Sequence, residues 1–203
     1  MLILGIAGGV GTETGIVRYY FDMLGAPTVS DSMLARHVLD RGTPTARIVM
    51  AEFPECVTWQ GDEIDRYALR QVAAADPVAH QRLEELTQAG TLAMLKEHIR
   101  DWQSYPPARA AALEIPLLFE SKLEHLADKI IVVTYTEESQ LHKLLSWIRE
   151  PEADRRVREA DARQKIAAQW PLAEKIARAD YVITADTGRD DIRRQVEVLW
   201  ERL

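Results

Sequence analysis

The stretch "GGVGTETGIV", residues 8–17, decides how the chain is read. It follows Leu2–Ala7, a short apolar run ending at glycine, as expected of a buried central parallel strand. After it, Ile16 to Leu24 reads as a helix stopped by Gly25 and Pro27. Where a strand turns through glycines into a helix, successive backbone N–H groups and the helix N-terminus form a cradle for phosphate. The complete pattern is G-x-x-x-x-G-K-S/T. Its lysine pairs with the β- and γ-phosphates, and the next hydroxyl residue holds magnesium. Aligned on Gly8, the chain places Glu13 at the second glycine, Thr14 at the lysine and Gly15 at the magnesium ligand. Gly5, Gly8, Gly9 and Gly11 remain, so the strand-to-helix turn is expected. The candidate nucleotide-binding loop is therefore Gly8, Gly9, Val10, Gly11, Thr12, Glu13, Thr14 and Gly15.

Further strands and helices alternate around this unit. A brief strand is expected at Thr28 and Val29, then mostly helical pattern from Ser30 to Trp102, broken at "RGTP", "EFPECVTWQGDE" and "ADP". After "SYPP", Ala110–Ile115, Lys129–Thr134 and "ADYVIT" read as buried strands, with helices at about 138–149 and 189–202. That alternation argues for a parallel sheet covered by helices. The segment 147–169 is dense in charge and reads either as a solvated helix or as a mobile lid with phosphate-seeking arginines.

Composition limits the function classes. At 47% hydrophobic and 28% charged residues, the 203-residue chain reads as an ordinary globular protein. A net charge of -7 argues against nucleic-acid and anionic-membrane partners. Cys56 is the single cysteine, which excludes an internal disulfide and fits a reducing cytoplasm. The opening lacks a basic leader and its apolar run is short, so a strand is expected there rather than a signal peptide. No run approaches the length of a membrane span. His37, His80, His98, His125 and His142 are scattered singly, and no metal site is expected from them. The tryptophans Trp59, Trp102, Trp170 and Trp200 read as packing residues, and Trp147 as a candidate partner surface.

Several blocks occur in a telling order: "GGVG", "LGAP", "LARHVLDRGTP", "IDRYALRQV", "ADP", "IPLLFES", "IIVVTYTEESQLHKLL", "IAAQWPLAEKIARADYVI" and "LWERL". Together they resemble dephospho-CoA kinase, the family that phosphorylates the ribose 3′-hydroxyl of dephospho-CoA with ATP. The resemblance implies an α/β fold: a P-loop parallel sheet flanked by helices, with an inserted helical substrate domain and a lid. The expected division is a core of 1–30, 106–146 and 170–203, a helical CoA-type insertion of 31–105, and a lid of 147–169.

Against that family pattern the chain departs at particular places. The family's V-I-D-A-D, whose carboxylates serve magnesium and proton abstraction, reads "TVSDS", with Ser30 and Ser32 at the acidic positions. Strand alternation would turn Asp31 to the opposite face. A Leu-His-Pro segment reads "LTQAG", an arginine pair becomes "IDRYALR", a lid arginine falls at Trp147, and a base-contacting "IDN" reads "ITAD". Thr14, Ser30 and Ser32 are thus substituted family positions and carry no catalytic assignment. One cation about 5 Å from a phosphate is worth roughly 3 kcal/mol at an effective dielectric near 20. Losing it, and aiming the Glu13 carboxylate into the loop, would weaken nucleotide binding by some orders of magnitude.

Arg36, Arg41, Arg66 and Arg70 lie where the family handles its substrate. They either pair with Asp40, Asp62 and Asp65 or keep an anion pocket for the phosphates of a CoA-like molecule. Glu120 and Gln169 match family positions expected to organise the core and lid, and Arg18 is expected in a surface ion pair. Three readings remain open on these residues. One is a catalytically silent relative binding a CoA-like small molecule or a protein partner. The second is a working kinase with ATP and Mg2+ that uses Thr14, Arg18 and lid arginines. The third is an enzyme reassigned to another substrate.

Overall fold

The computed structural model describes residues 1–104, 108–147 and 155–203. Two compact units divide the chain: Met1–Ser30 with Trp102–Leu203, and Asp31–Asp101.

The first unit is built on five parallel strands, β1 (Leu2–Ala7), β2 (Thr28–Ser30), β3 (Ala110–Glu114), β4 (Lys129–Thr134) and β5 (Tyr181–Thr184). Their order is β2-β3-β1-β4-β5, which puts β1 in the centre. It pairs with β3 through Leu2↔Ala110 to Ile6↔Glu114, and with β4 through Leu4↔Lys129 to Ala7↔Val132. Burial on both sides explains why β1 and β3 read as continuous apolar runs. Leu4 and Ile6 project from one face of β1 into a core with Val17 and Phe21 of α1 (Thr14–Met23). Val196 and Leu199 of α9 (Arg189–Arg202) complete that core. Phe21 meets Trp200 edge-on at 6.1 Å between ring centres, and the Arg109 guanidinium lies 4.4 Å over the Trp200 ring. Helices α6 (Glu137–Trp147), α7 (Arg155–Ala167) and α8 (Leu172–Ala177) follow along the chain between β4 and β5.

The second unit is helical: α2 (Asp31–His37), α3 (Pro44–Glu52), α4 (Arg66–Ala75) and most of α5 (Pro77–Ser104). Its starts are fixed by side-chain caps. Thr43 accepts from Ala46 N at 3.1 Å before Pro44, and Asp65 accepts from Tyr67 N and Ala68 N at 2.9 and 3.0 Å. Val49, Phe53, Cys56 and Leu69 form its core. Gly90 is the close-approach point of α5: a β-carbon there would stand 2.1 Å from Thr45 Oγ1 and 2.5 Å from Val38 Cγ2. Gly90→Ala is accordingly expected to lower stability by roughly 1–2 kcal/mol, the overpacking outweighing alanine's helix preference. Urea unfolding checks this, and a stabilised variant would contradict it.

Three expectations need correction. Strand β2 ends at Ser30 and α2 begins at Asp31, so strand alternation does not govern Asp31. An acidic residue in a first turn is favoured by the helix dipole, which suits the early start. Helix α1 begins at Thr14 rather than Ile16, because the left-handed backbone of Glu13 ends the loop there. Trp59 is not a packing residue, being 90% exposed on the turn between Val57 and Ile64. Of the segment 147–169, residues 155–167 form α7; residues 148–154 and the side chain of Trp147 lie outside the described residues. So do residues 105–107 of the "SYPP" break. Among the described residues no helix is long and apolar enough to cross a membrane.

Candidate functional site

The loop after β1 is closed on itself by Thr12. The Gly9 N–H donates to Thr12 Oγ1 at 2.8 Å, and the Thr12 hydroxyl donates back to Gly9 O at 2.8 Å. Two carboxamides hold the Val10 peptide from outside. Gln140 Nε2 on α6 donates to Val10 O at 2.7 Å, and the Val10 N–H donates to Gln169 Oε1 at 3.1 Å. Gly9 has to be glycine for this clamp, since a β-carbon there would lie 2.8 Å from both amide groups. Beyond Gly11 the chain enters the left-handed region at Glu13, φ 56°, a conformation costing roughly 1–2 kcal/mol for a residue with a β-carbon. Among the described residues, no hydrogen bond ties the N–H groups of Gly11, Glu13, Thr14 and Gly15 to an acceptor. The Glu13 carboxylate makes no cap bond to α1 and pairs instead with Lys143 of α6.

Inside the loop the carboxylate of Glu114, at the end of β3, collects two donors. Thr14 Oγ1 donates to Glu114 Oε1 at 2.9 Å, and Arg18 Nε donates to Glu114 Oε2 at 3.1 Å. Arg18 also donates to Thr28 Oγ1 at 3.0 Å. Its ion pair is therefore a mostly buried crosslink among α1, β2 and β3, not the expected surface pair.

Beneath the loop, Lys175 of α8 donates to Gly8 O at 2.6 Å and pairs with Glu120 Oε1 at 2.6 Å. The same Glu120 oxygen accepts from Trp170 N at 3.0 Å, while Glu120 Oε2 is buried with no hydrogen-bond partner. Trp170 stacks on Phe119 with ring centres 6.0 Å apart.

Two cavities flank this frame. One of about 360 Å3 lies against Gly8, Gly9 and Thr12, and is walled by Trp170, Leu172 and Lys175. The other, of about 580 Å3, runs between α6 and the loop after β5, with Lys143, His142 and Asp186 on its wall. Tyr135 borders both. Burial, then the carboxylates of Glu13 and Asp186, push its phenol above the usual range.

The strand, loop and helix that carry these groups fall inside a match to the dephospho-CoA kinase family model over residues 2–191. The chain belongs to the dephospho-CoA kinase family. It is 33% identical over 203 residues to a dephospho-CoA kinase of Syntrophotalea carbinolica, covering all of this chain and 92% of that one. To the Arabidopsis thaliana enzyme it is 32% identical, over 97% of this chain and 82% of the other. The solved dephospho-CoA kinase of Campylobacter jejuni shares the fold at a TM-score of 0.71 and 21% identity, over 98% and 96% of the two chains.

On this dephospho-CoA kinase frame the loop residues 8–15 and Gln169 come together, joined through Val10. Glu120 lies next to them through Lys175. Ser30 closes β2 and is buried, and Ser32 is exposed in the first turn of α2. The arginines of the helical unit follow the pairing alternative in part. Arg66 binds Asp40 at 2.6 Å and Arg36 O at 3.0 Å, and Arg41 binds Asp62 at 2.5 Å. Arg36 donates to Ser32 O at 3.2 Å, and Asp65 is spent on the α4 cap. Arg70 is exposed on α4.

Sequence reading missed Glu114, Gln140, Lys143 and Lys175. Glu114 left a signal, a charge closing the apolar run "AAAL". Lys175 left none, because a lysine in a short charged helix reads as solvated until Glu120 is found beside it.

Proposed function

We propose that this chain is a dephospho-CoA kinase relative in which phosphoryl transfer from ATP to dephospho-CoA is lost or severely impaired. The observation that carries this reading is the commitment of Thr14. At the position of the phosphate-binding lysine stands a short hydroxyl, and it donates to Glu114. Gly15, at the magnesium-ligand position, offers no side-chain oxygen. Both oxygens of Glu114 are engaged, one by Thr14 and one by Arg18. The side chains at the loop therefore do not fit a magnesium ion, which takes hard oxygen ligands in near-octahedral geometry. Serine at position 30 is no general base near neutral pH.

A turn held by Thr12, Gln140 and Gln169 supports retention of the fold without the chemistry. Ligand binding of a CoA-like molecule, or contact with a partner protein, is the role left to such a relative. Calorimetric titration with ATP–Mg2+, coupled to an assay of ADP release with dephospho-CoA, tests the proposal. Flat traces and no ADP are expected. Saturable micromolar binding with turnover would overturn it.

A further inference from the structure

The loop still has a cation within reach, and it is already occupied. Lys143 projects from α6 to the residue immediately before α1, and its ammonium meets the Glu13 carboxylate. The pair is not a solvated surface contact: the Glu13 side chain is 13% exposed and that of Lys143 32%. Glu13 sits at the N-cap of α1 without donating or accepting any cap bond through its side chain. Its carboxylate is therefore not used to hold the helix, although an acidic group at that end would ordinarily be used so. It holds Lys143.

Lys143 is also part of the wall of the 580 Å3 cavity, facing the same space as His142 and Asp186. Of the other charged groups around the loop, Arg18 is held by Glu114 and Lys175 by Glu120. Arg163, on the wall of the cavity against Gly8 and Gly9, pairs with Glu137 and Glu159. Among the described residues, each of these four cations thus has a carboxylate partner. Those of Arg18 and Lys175 come from β3 and the segment after it, and those of Arg163 from α6 and α7, so all belong to the scaffold. Only for Lys143 does the carboxylate come from the loop itself, at a position where the phosphate-loop pattern has glycine.

We propose that the Glu13–Lys143 pair is an autoinhibitory contact, in which the loop's own carboxylate neutralises the cation that would otherwise bind a polyphosphate at the turn. The inference rests on the loop being the family's polyphosphate site, and it assigns the block to one removable charge. Neutralising Glu13 frees Lys143 while leaving Thr14, Gly15 and the Val10 clamp as they are. Position 13 tolerates the change, since its left-handed backbone suits glycine better than glutamate.

The test uses the full chain and inorganic tripolyphosphate, titrated calorimetrically without metal. E13Q is expected to bind at least tenfold more tightly than the unsubstituted protein, and E13G, which also relieves the backbone, at least as tightly as E13Q. The gain is expected to disappear in E13Q/K143M. Equal affinity of E13Q, E13G and the unsubstituted protein overturns the proposal. So does a gain that survives in E13Q/K143M, because the effect would then be loss of repulsion rather than release of a cation. E13G keeps the test decisive should E13Q fold poorly. Tight ATP–Mg2+ binding by the unsubstituted protein would count against the impaired-kinase reading instead, whereas this proposal stands or falls on the ratios between variants.

Discussion

Replacing Lys175 with methionine is expected to lower the free energy of unfolding by about 3 kcal/mol, within the 3–5 kcal/mol typical of breaking a buried ion pair from one side. Lys175 is the most enclosed cation described, with its side chain 2% exposed. Methionine preserves most of its stem volume, so cavity formation contributes little. The loss comes from what remains. Glu120 keeps a carboxylate 17% exposed whose Oε2 has no hydrogen-bond partner and whose Oε1 retains only the Trp170 N–H. Gly8 O loses its charged donor as well. Partial exposure of Glu120 places the expected value at the lower end of the range. Urea unfolding followed by tryptophan fluorescence gives the number. Lys175→Met with Glu120→Gln should recover a large part of it, because no charge is then left uncompensated. A loss under about 1 kcal/mol for the single variant would mean the pair behaves like a surface contact.

Installing the complete phosphate-loop pattern is the second large effect. The triple variant E13G/T14K/G15S should bind ATP–Mg2+ at least a hundredfold more tightly than the unsubstituted chain. A regained lysine near the phosphates contributes roughly 3 kcal/mol, and each 1.4 kcal/mol is a factor of ten. The backbone can accept all three changes. Glycine relaxes the left-handed position 13, and a β-carbon at position 15 would stand 3.5 Å from Glu114 Oε1, an ordinary contact. Position 14 is the demanding one, since lysine there gives up the bond from Thr14 to Glu114. Calorimetry reads the result. A flat trace from a folded triple variant would mean that the loop backbone itself has been reshaped.

The frame was legible in the sequence because its physics is local. Leu2–Ala7 had to be a strand buried on both faces, and glycines at 8, 9 and 11 had to make the turn into α1. The family blocks carried the parallel sheet with it. What stayed hidden depends on pairs far apart in the chain. Glu120 meets Lys175, Thr14 meets Glu114, and Glu13 meets Lys143 only after folding. Periodicity sees one partner of each pair as a polar residue and says nothing of the other. Arg18 shows the same limit: an arginine one turn into a helix looks solvated until Glu114 and Thr28 are found on either side of it. The short strand β2 failed for a different reason, because a three-residue strand gives alternation too few positions to establish a face.

The bracket around Val10 has a consequence for how such a protein can change over time. Gln140 and Gln169 brace the turn from side chains that belong to other parts of the chain. Substitutions at the rim, at 13, 14 and 15, remove neither of these two bonds. On the function proposed above, geometry and cargo are specified by different residues, so a lineage can abandon the second while selection for folding goes on preserving the first.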